Sequence, residues 1–271
     1  MRLLILLVLG VGGLFWGHIH FEGEAADQLA GLEASLEQSQ APVGIRTDLP
    51  TLVRDFALAG RREPAEFSRA VRLFHNGSAD FRMGGDLASI IAEETLLIGQ
   101  AGRVLRAERS VASQTLFSRV ESYLGQSGGE TLRILGSGPL AQEAGPAIDR
   151  SQAIGYLTSL PLVPDAILAN RDLVWRSVGP DRMAVAISTS DGPVSVEFIF
   201  DSAGDIAEAI AVERPVLVGR EVRQQDWLAA YGDYGELGGR RIPRRVTFGT
   251  LAEGGFQAQF TSQIVTHELV D

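Results

Sequence analysis

Cysteine and lysine are absent from this chain of 271 residues, and all 24 of its basic residues are arginine. Without cysteine there is no disulfide, no thiol nucleophile, no thiolate metal site and no lipidated N-terminal cysteine. Without lysine there is no Schiff-base chemistry and no phosphate-loop lysine. Histidine is scarce: His18, His20, His75 and His267 are the only four. His18 and His20 have no third ligand beside them, so interfacial packing explains them better than a metal. No metal-ligand spacing and no Walker or dinucleotide motif occurs, and no cofactor is expected. The formal net charge is −10. Nucleic-acid binding needs a basic footprint, so nucleic acid is not expected as a partner. The local cluster Arg240, Arg241, Arg244 and Arg245 reads as a solvated strand face.

The longest apolar run sits at the N-terminus. Its strongest part, Leu3–Trp16, is 14 residues, the length of a signal peptide; continued to Phe21 it reaches 19, enough to cross a bilayer. Arg2 precedes it and Glu22, Glu24 and Asp27 follow, which places the N-terminus in the cytoplasm and the rest outside. Gly23-Glu24-Ala25-Ala26 is a poor cleavage site. The expected organisation is a transmembrane signal anchor at 1–21, a juxtamembrane helical spacer and linker at 22–47, and a β-rich extracytoplasmic domain at 48–271. Cleavage would give a secreted protein instead. Asp48 is expected to cap a helix carrying Leu49, Leu52, Val53, Phe56 and Leu58.

The rest of the chain is mostly strand-like, with one interruption. Runs at Ser89–Ile98, Arg103–Arg109, Thr115–Leu124 and Glu130–Leu135 are separated by glycine-rich turns, and Asn76-Gly77 reads as a hairpin turn. A second series runs through Leu173–Val178, Met183–Ser188, Val194–Phe200, Ile206–Glu213, Arg244–Leu251 and Phe256–His267. Short turns between strands predict an antiparallel meander. Between the two series, Ala147–Leu168 reads as helix. Asp149 and Gln152 have capping-box spacing, and Ala153, Ile154, Leu157 and Leu160 form one apolar face. Pro161 should stop the helix near Leu160, and Pro164 should start another short turn. This helix either fills the hollow of a curved sheet as ordinary core or covers an apolar cavity; periodicity does not separate the two. The fold class is α+β, mainly antiparallel β: a curved sheet or half-barrel packed with or around helices.

Catalytic signals are weak. Gly125-Gln126-Ser127-Gly128-Gly129 matches G-x-S-x-G, but a strand follows it where the nucleophile elbow needs a helix, so it reads as a hairpin turn. His75 and His267 lie in no recognisable triad context. Glu93, Glu94, Asp201, Asp205, Asp226 and Asp233 are scattered carboxylates, and no nucleophile–base pair can be named. Asp226-Trp227 and Tyr231-Gly232-Asp233-Tyr234-Gly235 gather aromatic and turn residues, as a ligand mouth or a packed loop would.

Three segments are similar to an uncharacterised bacterial domain-of-unknown-function family of the 6544/6920 type. They are Leu49-Pro50-Thr51-Leu52-Val53-Arg54-Asp55-Phe56; Gly155-Tyr156-Leu157 with Pro164-Asp165-Ala166-Ile167-Leu168 and Val174-Trp175; and Phe198-Ile199-Phe200-Asp201 with Gly204-Asp205-Ile206 and Gly238–Pro243. The resemblance covers roughly residues 48–267 and supplies no catalytic residues. It implies an architecture similar to the half-barrels of lipoprotein carriers. The expected protein is therefore a single-pass protein of the bacterial inner membrane, its C-terminal domain in the periplasm or outside the cell. It would bind a lipid or other hydrophobic ligand through Ile154, Leu157, Leu160, Trp175, Trp227 and Tyr231. The alternative is a structural or protein-interaction domain of the envelope with a packed core and a protein partner.

Overall fold

The computed structural model describes residues 30–31, 33–34, 36, 38–42, 44–61, 66–80, 87–111, 114–134, 139–218 and 221–271. The apolar segment Leu3–Phe21, with His18 and His20, lies outside the described residues. Among the described residues no helix is long and apolar enough to cross a membrane.

The strands form one antiparallel sheet of 13, curved into a half-barrel. The first wing comprises β1 (Ala70–Ala79), β2 (Ala88–Leu97), β3 (Gly102–Val111), β4 (Gln114–Leu124), β5 (Ser127–Ile134) and β6 (Pro139–Ala144). The second comprises β7 (Val174–Ser177), β8 (Arg182–Thr189), β9 (Gly192–Phe200), β10 (Ile206–Val218), β11 (Glu221–Leu237), β12 (Arg240–Ala252) and β13 (Gly255–Val270). Each wing is a meander, and β13 pairs with β1 to join them, so β6 and β7 are the sheet's two edges. The chain travels between those edges as helix: α2 (Pro146–Ser159), a 3-10 turn at Leu160–Leu162 and α3 (Pro164–Ala169). The break falls where Pro161 and Pro164 predict it. A shorter helix, α1 (Thr51–Gly60), packs against α3 and β12.

The crossover is an internal layer: every residue from Ala153 to Ala169 is buried, the polar Thr158, Ser159 and Asp165 included. Ile154, Leu157, Leu160, Leu162, Ile167 and Leu168 form one core with Val53 and Phe56 of α1 and with the inward residues of the second wing. That wing is apolar inside: Met183, Val185 and Ile187, then Val194, Val196, Phe198 and Phe200, alternate with less buried positions, as a half-buried antiparallel strand requires.

Four local expectations are corrected. Asn76-Gly77 does not turn: it lies inside β1, opposite Ile91 and Ile90, because at Gly77 the β13 backbone comes so close that a Cβ would sit 2.1 Å from the Thr261 carbonyl oxygen. Asp149 does not cap α2; Gly145 is the N-cap, Pro146 occupies the first turn, and Asp149 lies within the helix. Asp48 does not cap α1, which starts after Pro50; its carboxylate takes Arg46 instead, at 2.7 Å. The Asp226–Gly235 segment is no loop but the middle of β11, a strand of 17 residues. The G-x-S-x-G segment behaves as expected. Gly125 and Gln126 both have positive φ, 59° and 71°, and make the β4–β5 hairpin turn.

Candidate functional site

The two wings offer the helices different surfaces. On the first wing, side chains facing inward follow the register across paired strands. One row reads Leu73, Glu94, Leu105, Glu121, Glu130, and the row beyond it reads His75, Ala92, Ala107, Arg119, Leu132. Charge is therefore built into the concave face. Glu121 and Glu130 stand directly opposite each other, a repulsive cross-strand pair unless something bridges it. Arg119 does so, 3.0 Å from each carboxylate. Arg103 in turn joins Glu94 at 2.5 Å to Glu121 at 3.0 Å.

The helix meets this layer with small and polar residues. Ser151, Gln152, Gly155 and Ser159 recur at helical spacing on the side of α2 facing the charges. Ser159 Oγ donates to Glu94 Oε1 at 2.8 Å, and Gln152 Nε2 reaches Glu130 at 3.5 Å. Gly155 leaves room for Arg103: a Cβ there would lie 3.0 Å from its Nη1. Burial alone would raise the Glu94 and Glu121 carboxyls. The arginines reverse this, Arg103 with His75 at Glu94 and Arg119 with Arg103 at Glu121, and hold both at about 2. Both are ionised at neutral pH.

His75 extends the layer. Its Nε2 lies 3.3 Å from Glu94 Oε2 and its Nδ1 3.2 Å from Ser262 Oγ. Serine, histidine and glutamate thus stand in the order of a nucleophile, base and acid. Ser262 is only 2% exposed, however, and Glu94 is already engaged by Arg103 and Ser159. The line ties β13, β1 and β2 together. His267 lies elsewhere, near the buried Arg240–Asp165 pair; burial, with Arg240 beside it, depresses the imidazole to about 4.

Beyond the charged layer, toward the ends of β1 and β13, the concave face is apolar again. Ala79, Ile90, Ala92 and Ala107 form a cluster separate from the main core, flanked by partly buried Leu105 and Phe260. Phe248 lies beside Phe260, with ring centroids 5.7 Å apart and the rings tilted by 37°. Alanines dominate the floor and its flanks are large. Among the described residues, α2 packs chiefly on β4–β6 and β8–β10.

The six residues singled out from the sequence all belong to the main core. Ile154, Leu157 and Leu160 face the second wing and neighbouring helices. Trp175 stacks on Phe198 at 5.9 Å. Tyr231 donates to the Thr158 carbonyl at 2.5 Å, and Trp227 lies under Arg214, whose guanidinium carbon is 4.3 Å from the ring. Of the six, Trp227 and Tyr231 border the charged layer. That layer was missed except for Glu94. Its signal was parity: Arg103, Arg119, Glu121 and Glu130 occupy inward positions of alternating strands, where solvated residues do not belong. Among the described residues no group of three or more His, Asp or Glu could hold a metal.

These features define a class: an antiparallel half-barrel plugged by its own crossover helix, with a buried ionic layer between the plug and a separate apolar cluster. The chain belongs to DUF6544, a family of unknown function, whose model matches residues 45–260. No curated protein matches it. Among solved structures it is similar to a LolA superfamily protein from Nitrosomonas europaea, at 11% identity and a TM-score of 0.45 over 81% of this chain and 92% of that one. A DUF1329 family protein from Desulfovibrio piger gives 8% identity and a TM-score of 0.46 over 80% and 91%. A domain from Vibrio parahaemolyticus described as an outer membrane lipoprotein-sorting protein gives 9% identity and a TM-score of 0.39 over 80% and 90%.

Proposed function

We propose that this protein is a binding module of the bacterial envelope, tethered by its N-terminal apolar segment, that holds a lipid or other hydrophobic ligand on the concave face of the half-barrel. The observation carrying this reading is the apolar cluster. Leu105, Phe248 and Phe260 remain only partly buried beside a floor rich in alanine, away from the strands on which α2 chiefly packs. Pockets for apolar ligands combine such walls with a few convergent polar groups, and the ionic layer supplies the polar end. The site lies beyond the plug, so the plug can stay packed while a ligand enters. Native mass spectrometry of the purified full chain should find co-purifying lipid. Ala107→Phe, which fills the floor, should remove it without loss of secondary structure. Unchanged lipid content in that variant would sink the proposal.

A second reading, docking of an envelope protein, is favoured by the open edge at β7, where Val174 is 64% exposed. An unpaired edge strand is a template for another chain. In that case in-membrane crosslinking from position 176 should trap one dominant protein, and Val174→Pro should abolish the product.

A further inference from the structure

One arginine of the concave face makes no ion pair among the described residues. Arg103 and Arg119 each bond two carboxylates. Arg214, buried to 7% exposure, makes one hydrogen bond among the described residues, from Nε to Ser151 Oγ at 3.2 Å. Its guanidinium otherwise lies on the Trp227 ring. A bulge puts it there. The β10–β11 register shifts between Ala211 and Arg214, Glu213 takes a positive φ of 53°, and the Glu213 N–H donates to Asp226 Oδ1 at 3.0 Å. Simple alternation after Ala209 and Ala211 would turn Glu213 inward; the bulge sends Glu213 to solvent and Arg214 into the hollow. Bulges re-aim side chains in this way at functional sites.

The surroundings are also incomplete. Among the described residues, Trp227 Nε1 is buried with no acceptor, and Gln225, which pairs with Arg214 across the strands, has a buried Oε1 with no donor. Native proteins rarely leave such groups without a partner. Burial, opposed by Glu121 and reinforced by Arg103 and Arg119, lowers Arg214 to about 10. A nearby anion would relieve that cost. Trp227 pairs with Thr250 and Phe248 with Phe260, so successive strands lead from Arg214 to the alanine floor.

We infer that Arg214 and the indole N–H of Trp227 form the head-group site for an amphipathic anion, an acyl chain bearing a carboxylate or phosphate, with its tail along the Ala79–Ala92–Ala107 floor. This rests on the hydrophobic-ligand reading above and specifies the ligand's polar end. A guanidinium can hold either oxyanion through two parallel N–H donors.

The test uses the full chain freed of co-purified lipid, with cis-parinaric acid and its methyl ester as fluorescent probes. The acid should bind about tenfold or more tightly than the ester, the size of a charge-assisted hydrogen bond. Arg214→Gln should erase that preference, and Arg214→Lys should retain part of it. Oleate or lysophosphatidate should displace the acid and oleyl alcohol should not; whichever anion competes better identifies the head group. Equal binding of acid and ester by the wild type would overturn the head-group site and leave the hydrophobic-ligand reading standing. Binding of neither probe would overturn both. The wild-type comparison decides even if Arg214→Gln does not fold.

Discussion

Asp165 shows what a single side chain does in this interior. It is fully buried and accepts from Arg240 at 2.6 and 3.1 Å, while Arg61 Nε lies 3.2 Å away. It therefore ties α3 to β12 and to the end of α1. Removing one partner of a buried ion pair leaves uncompensated charge and costs about 3–5 kcal/mol. Asp165→Asn should lower unfolding stability by that order in urea titration, with no change in the far-ultraviolet spectrum of the folded protein. His267 gives a pH dependence of known sign. Its folded value of about 4 lies below the ordinary 6.5, so between those pH values the unfolded chain binds a proton that the folded chain does not. Stability is then complete above pH 6.5 and falls as pH drops toward 4, by about 3 kcal/mol in all. Urea midpoints should show this slope, and His267→Gln should flatten it. The steeper loss below pH 4.5, where Glu94 and Glu121 must be protonated, should persist.

At the scale of elements, Asp149 explains how α2 is held across the opening. Its Oδ1 accepts from the Gly128 N–H at 2.7 Å and its Oδ2 from the Ser190 hydroxyl. Gly128 lies at the start of β5, next to Ser127, and Ser190 is in the β8–β9 turn, so one carboxylate near the start of the helix clasps both wings. Tyr123 adds a second tie, donating to the Ser188 carbonyl at 3.0 Å. Asp149→Ala should cost about 1–3 kcal/mol by leaving the Gly128 donor unmatched. Hydrogen exchange should quicken first at Gly128 and in the β8–β9 turn, ahead of the strands of the main core. Exchange that rises uniformly across the sheet would rule out a local clasp.

At the scale of the molecule, neither wing is self-sufficient. The first wing carries Glu94, Arg103, Arg119, Glu121 and Glu130 on the face that should be its core. Alone it would expose that layer and lose the helix that satisfies it. A fragment ending at Ala144 should remain unfolded by circular dichroism, whereas co-expression with the remainder should restore a folded complex. The second wing depends on the crossover equally, since Val185, Val196, Phe198 and Ala209 pack on α2, α3 and α1. Residues ahead of α1 also adhere to this body: the Arg46 guanidinium donates to the Asn170 and Leu173 carbonyls at 2.7 and 2.6 Å, and Leu36 is buried against Leu97 and Val104.

The sequence by itself determined the antiparallel meander in two series, the helical interruption with its proline break, and the glycine turns. All of these arise from local periodicity and from backbone angles that proline and glycine impose. It also carried the family through Pro164–Leu168 and the strands on either side. Only the tertiary structure decided which inward positions carry charge, that Asn76-Gly77 continues a strand, that Tyr231–Gly235 lies in β11, and that Arg214 rather than Glu213 faces the hollow. Those outcomes depend on register and on one bulge. A shift of one residue exchanges the two faces of a strand, and no local pattern reveals which strand will lie alongside to fix it.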